Sequence, residues 1–404
     1  MVGLSFASQA TILPAFAAHL GAPNVVIGAI PAVMTLGWFL PSLFAAGHTE
    51  ALSRKLPFVL RYTVWERVPF LVLALAAFVV AERAPALVLG VLLTLLLVIT
   101  GVGGVLMPAW MDVVGRAIPV TLRGRFFAAS NLAAAAAGFA GSFLSAHVLA
   151  TMPAPASFGV CFLCASACMA LSYAALALVR EPAATASSPP VALGTYLGRI
   201  PPLLRRDANL RRFLVARAFA VVSVMGGGFY TVYALSTWAA PPAQAGVFTT
   251  LLLAGQIAGN VTLGWLADRM GHRLVIVAGV AAMIGANALA LGASSLGAFG
   301  VVFVLAGVQG AAVSISNLSV LLEFAPAPEE QPTYVGLGTT LMAPVAFGAP
   351  LAAGLLADAF GFAAVFLIAA VAGAVALAVL VSVVRDPRQG WRVARDERER
   401  GVSG

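Results

Sequence analysis

Apolar residues fill this chain in runs of about 20, and short breaks carrying proline, glycine or charge separate the runs. That length suits helices crossing a hydrocarbon core roughly 30 Å thick. The period-2 alternation of an outer-membrane barrel is absent from the sequence. In lipid, helices are then the remaining way for the backbone to satisfy its own polar groups. The pattern predicts twelve spans, at 2–20, 25–47, 62–81, 86–111, 126–150, 157–179, 212–238, 243–267, 273–292, 297–321, 333–357 and 361–384. The breaks include "GAPN" from 21, "AERAP" from 81, "TMPAP" from 151 and "WAAPPAQ" from 238.

The loops alternate in charge. One set carries Arg54, Lys55 and Arg61; Arg116, Arg123 and Arg125; the arginines from Arg180 to Arg212; Arg269 and Arg273; and the tail from Arg385. The other set is short, with Arg83 its only basic residue. Basic loops stay in the cytoplasm, so both termini are expected there, in a cytoplasmic (inner) membrane. The loop with Glu323, Glu329 and Glu330 is acidic, and acids weigh little in that rule. No basic segment precedes span one, which therefore reads as a span and not as a cleaved signal peptide. So short a start reads as a chain lacking a few native residues before it.

The longest loop, 180–211, holds "EPAATASSPP" and then "RIPPLLRRDANLRR". It reads as a linker, with a short surface helix before span seven. The domains expected are a first six-helix bundle at 1–179, a cytoplasmic linker at 180–211, a second bundle at 212–384 and a cytoplasmic tail at 385–404. The halves repeat. A shift of 218 positions lays Pro23 on Pro241, Gly28 on Gly246, Glu50 on Asp268 and Lys55 on Arg273. Parallel repeats of this kind are a transporter architecture.

Composition agrees with the pattern. The 404 residues are 61% hydrophobic and 9% charged, with a mean hydropathy of +1.00. A soluble domain could not bury that much apolar surface. The net charge of +8 reflects the loops, and no basic–aromatic platform points to nucleic acid. Cys161, Cys164 and Cys168 share one face of span six and read as apolar packing. His19, His48, His147 and His272 are scattered. No metal, cofactor or nucleophile–base constellation is evident, so an enzyme is not expected.

Against this low charge, "GWLADRMGHR" at 264–273 concentrates Asp268, Arg269 and Arg273. It resembles the loop signature of the major facilitator superfamily, Gly-x-Leu-Ala-Asp-Arg-x-Gly-x-Arg, between spans eight and nine. "TLRGRFF" at 121–127 is similar to that family's start of span five, and "GLLADAFG" at 354–361 is a weaker echo of the signature. The resemblance implies an all-α membrane protein of two pseudo-symmetric six-helix bundles, and it implies transport. The matching place in the first half, "AGHTEALSRK" at 46–55, keeps Glu50, Arg54 and Lys55 but loses the glycine and aspartate core. Span five, "NLAAAAAGFAGSFL", lacks the proline of the family's drug/proton antiporters, and span four, "LLTLLLVITGVGGVLMPAWMD", lacks their arginine.

Gly264 and Gly271 are expected to let helix backbones approach. Asp268 is expected to meet a helix N-terminal dipole or an arginine as a gate latch, with Arg269, Arg273 and Glu50 beside it. The alternative is that the arginines only fix topology. Charges within spans are costly and few. Glu66, Arg67, Asp112 and Arg217 all lie near the cytoplasmic boundary, where they read as interfacial ion pairs. Arg217 also suits an anion at the cavity mouth. Neutral polar residues punctuate spans one (Ser5, Ser8, Gln9, His19), seven (Tyr230, Thr231, Tyr233), eight (Gln256, Asn260) and ten (Gln309, Asn317). In the family, spans one, four, seven and ten line the central cavity. The resemblance therefore assigns Gln9, Tyr230, Tyr233, Gln309 and Asn317 to substrate, with Arg217, Gln256 and Asn260 added. Interhelical hydrogen bonds, worth about 0.6 kcal/mol each, are the competing role. Trp110 and Trp238 read as interfacial belt residues.

The function expected is a secondary transporter of a small organic solute, rocking two bundles about a midplane site, monomeric and with no cofactor. Its partners are a small-molecule substrate and the lipid bilayer. The alternatives are a proton-coupled drug or metabolite exporter and a non-transporting sensor of the same fold.

Overall fold

A computed structural model describes residues 2–50, 54–117, 120–181, 200–326 and 330–386. The side chains of 2, 42–50, 112, 115–117, 120–129, 131–132, 200–201 and 331–332 fall outside that description. Among the described residues the secondary structure is helical throughout. Ten helices are long and apolar enough to cross a membrane, and they correspond to every predicted span except one and seven.

Spans one and seven are broken. Span one consists of Val2–Ser5 and Ile12–His19; span seven consists of Ala208–Ser223 and Phe229–Thr237. The breaks open after Ser5 and Ser223, which are 218 positions apart. The repeat seen in the loops therefore extends to the local backbone. Gly226, Gly227 and Gly228 weaken span seven at its break, since glycine costs up to about 1 kcal/mol per helical position. Nothing in "FASQAT" at 6–11 marks the first break.

Other boundaries follow local chemistry. Asp207 caps span seven by accepting from the Leu210 N–H at 2.8 Å, and Ser295 caps span ten from Ala298 at 3.3 Å. Gly271 (φ +96) separates span eight, Ala243–Met270, from span nine, His272–Gly292, and Gly361 (φ +80) separates spans eleven and twelve. Positive φ favours glycine at such tight reversals. Ile200–Arg206, within the expected linker, is a short helix. Its Leu203 packs with Leu210 and Phe213 of span seven, and Arg206 pairs with Glu330 at 3.2 Å.

Within the first half, span two packs on span four and span three on span six; within the second, span ten packs on spans eight and nine, and span twelve on spans seven and nine. Phe16, Phe158 and Phe162 are buried in the first half. Tyr230, Phe299, Phe303 and Phe366 form the corresponding aromatic core of the second. The halves meet along two antiparallel crossings, span two (Asn24–Glu50) with span eleven and span five (Val120–Thr151) with span eight. One end of the molecule carries the arginine-rich loops and the other the arginine-poor loops.

Candidate functional site

The seam between the halves is built at the repeat's own residues. Gly28 of span two lies against span eleven, where an added Cβ would overlap the Pro350 carbonyl. Its repeat mate Gly246, in span eight, lies against span five, where a Cβ would overlap the Ala146 backbone. Glycine at both places lets backbones touch across the seam. Around these points run the hydrogen bonds that cross between halves. Thr11 Oγ1 pairs with Thr249 Oγ1 at 2.6 Å, Ser142 Oγ with Thr250 Oγ1 at 2.8 Å, and Thr231 Oγ1 donates to the Ala10 carbonyl at 3.0 Å. The Asp358 carboxylate accepts from Asn24 N at 3.0 Å, Asn24 Nδ2 at 2.9 Å and Val25 N at 3.0 Å.

All of these contacts lie toward the arginine-poor face. Toward the arginine-rich face lies the signature loop, in which Ala267 and His272 both have partners. Asp268 is exposed and has no hydrogen-bond or ion-pair partner among the described residues. Arg269 lies over the Trp265 ring at 4.4 Å, a cation–π contact within its own helix. Arg273 donates Nε to the Leu380 carbonyl at 3.2 Å and Nη2 to that of Val381 at 3.2 Å. It thereby covers carbonyls left open at the end of span twelve. Gly271 makes the loop's turn. The expectation for Gly264 needs correction: nothing lies within 4 Å of where its Cβ would be, so it brings no backbone close in this conformation. The Glu50 side chain lies outside the described residues, as do those of Asp112 and of "TLRGRFF".

The expected cavity residues divide. Tyr230 is corrected. It is 1% exposed, and its hydroxyl donates to Asn287 Oδ1 of span nine at 2.7 Å. The interhelical role has taken it. Tyr233 is half-buried, and its ring packs beside Trp238, Phe299, Phe362 and Phe366 in the second half. Trp238 belongs to the same aromatic cluster. Arg217 donates Nη2 to Asn317 Oδ1, joining spans seven and ten, while its buried Nη1 has no partner among the described residues. Gln9 is exposed in the break of span one, beside Ala10 and the seam. Asn260 is exposed on span eight, and Gln256 and Gln309 are half-buried.

A cavity of about 460 Å³ lies inside the first half, not between the halves. Trp38, Glu66, Arg67, Trp110 and Ser172 are among its lining residues. Glu66 pairs with Arg67 at 3.6 Å and accepts from Thr63 Oγ1 at 2.6 Å. Arg67 also donates Nε to the Met169 carbonyl at 3.0 Å. These two charges are the ion pair expected of them. Cys161 is buried, Cys164 and Cys168 are half-buried, and all three are free thiols.

Comparison with known proteins fits this geometry. The model of a family described as the Major Facilitator Superfamily matches residues 218–403. The sequence match lies in the second half of the chain, and the whole chain shares its fold with solved transport proteins. No curated protein matches this chain by sequence. Among solved structures it is similar to a mutant of the nucleoside transporter NupG (TM-score 0.73, 12% identity, covering 95% of this chain and 97% of that one). It is similar to the inward open conformation of the xylose transporter XylE from E. coli (0.65, 11%, 95% and 94%). A bacterial homologue of the iron transporter ferroportin, in an inward-facing state, also shares the fold (0.65, 15%, 94% and 95%). The solved structures that share its fold are those of transport proteins.

Sequence reasoning missed most of the seam. Thr11, Ser142, Thr249 and Thr250 are ordinary hydroxyls in apolar spans, and many such groups bond only to their own helix, as Thr94 and Thr262 do. Asp358 carried a signal, because it sits in the echo "GLLADAFG".

Proposed function

We propose that this protein is a secondary transporter of a small organic solute, working by alternating access in the cytoplasmic membrane, and that the structure is its inward-facing conformation. The observation that carries the reading is the one-sidedness of the seam: Thr11–Thr249, Ser142–Thr250, Thr231–Ala10 and Asp358–Asn24 all join the halves toward the arginine-poor face. The positive-inside rule makes that face external. Gln9, Arg217, Gln256, Asn260, Gln309 and Asn317 are the residues assigned to solute. Most are neutral amides, which suits an uncharged or amphipathic solute rich in hydroxyl or amide groups.

Membrane-impermeant maleimide tests the reading on protein carrying Cys161→Ala, Cys164→Ala and Cys168→Ala. A cysteine introduced as Asn260→Cys should label at least several-fold faster in inside-out vesicles than in right-side-out ones. D-xylose, a nucleoside and a dipeptide are the first solutes to try for slowing that labelling. Faster labelling from the outside would overturn the conformational assignment. Absence of protection by these and a wider set of neutral solutes would overturn the assignment of solute class.

A further inference from the structure

The signature that marks the arginine-rich loop has a shorter copy at the opposite face. Residues 354–358, at the end of span eleven, repeat the Gly-x-Leu-Ala-Asp of 264–268. The copy is engaged. A Cβ on Gly354 would lie 2.6 Å from the Asn24 carbonyl oxygen and 2.6 Å from Val25 Cα, so only glycine lets the start of span two rest there. One turn later, the Asp358 carboxylate takes the Asn24 and Val25 N–H groups and the Asn24 side-chain amide. The first N–H groups of a helix have no carbonyl of their own, and a carboxylate placed there also meets the positive end of the helix dipole. Among the described residues no cation pairs with Asp358. The contact is thus hydrogen bonds and charge on a dipole, made from one half to the other.

We propose that Gly354 and Asp358 form a socket for the N-terminus of span two that holds the external face closed. This rests on the alternating-access reading. Spans eleven and two cross antiparallel, so the end of span eleven meets the start of span two at one face. In the present conformation the socket is filled. Asp358 is a positioning residue of the cycle, touching no solute.

The test uses the full chain, with its cysteines replaced as above, in lipid vesicles. Nitroxide pairs at Glu82→Cys with Ser294→Cys, and at Arg61→Cys with Arg211→Cys, report the two faces by pulsed electron paramagnetic resonance. Asp358→Ala should lower the closed-to-open ratio at the external face roughly tenfold, the loss expected for hydrogen bonds to a charged group. Gly354→Leu should act in the same direction, and Asp358→Glu should retain most of the closed population. Hydrogen exchange at the Asn24 and Val25 amides should quicken in Asp358→Asn, a milder variant that keeps the side chain's size. An unchanged external distance in both Asp358→Ala and Gly354→Leu, with unchanged exchange at Asn24 and Val25, would overturn the socket. External opening with no shortening of the Arg61–Arg211 distance would uphold the socket and overturn coupled alternation, so the two readings fail separately.

Discussion

Tyr230 illustrates how a polar group in an apolar span finds its role. Its hydroxyl donates to Asn287 Oδ1, and the Asn287 amide donates to the Ser223 and Met283 carbonyls at 3.0 Å each. The group is fully enclosed, so its hydrogen bond must be made inside the protein. Tyr230→Phe removes one donor and leaves Asn287 Oδ1 unmet. The expected cost is about 1 kcal/mol of unfolding free energy in detergent, with solute flux unchanged. A thermal-shift assay beside a flux assay checks both, and a flux loss without destabilisation would return Tyr230 to the cavity. Arg217 is the contrasting residue. Its Nη2 is met by Asn317, but its Nη1 is buried without a partner among the described residues, which is costly for a charged group. A hydroxyl or amide oxygen of the solute, or a rearrangement during the cycle, would meet that need.

Among the elements, the paired breaks in spans one and seven and the paired crossings of spans two and eight follow one internal repeat. The crossings are held by contact between backbones, and this makes them intolerant of added bulk. A Cβ at Gly246 meets the Ala146 backbone, which no side-chain rotation can relieve. Gly246→Leu should therefore pry span eight from span five at the external end. The expected result is faster maleimide labelling of Asn260→Cys from the outside and slower labelling from the cytoplasmic side. If labelling keeps its sidedness, the crossing does not control the external face. Gly28→Leu should do the same at the crossing of spans two and eleven. Twelve spans were legible from apolar run length, but the breaks in spans one and seven were not. Run length records what lipid tolerates. A broken helix inside a bundle is paid for by neighbours, as the Ala10 carbonyl is by Thr231.

For the molecule as a whole, the prediction concerns the signature loop. Asp268 is exposed in this conformation and is expected to take up a helix N-terminus when the cytoplasmic face closes. Asp268→Asn should weaken that closed state, favour the inward-facing one and slow solute exchange in vesicles several-fold. Unaltered exchange would remove the latch role. The opposite shift is expected of Asp358→Ala, so the two variants should bias the halves in opposing directions. Sequence alone determined the class, the number of apolar spans and the resemblance of the loop at 264–273. Each depends on composition, run length or local spacing, which a linear chain records directly. The tertiary structure decided that Tyr230 serves the core, that Gly28 and Gly246 are seam contacts, and that Asp358 reaches Asn24 across 334 positions. Those facts depend on which faces of distant helices meet. In a chain so uniformly apolar, the hydrophobic pattern says that a helix is in the membrane and not which side of it meets a neighbour.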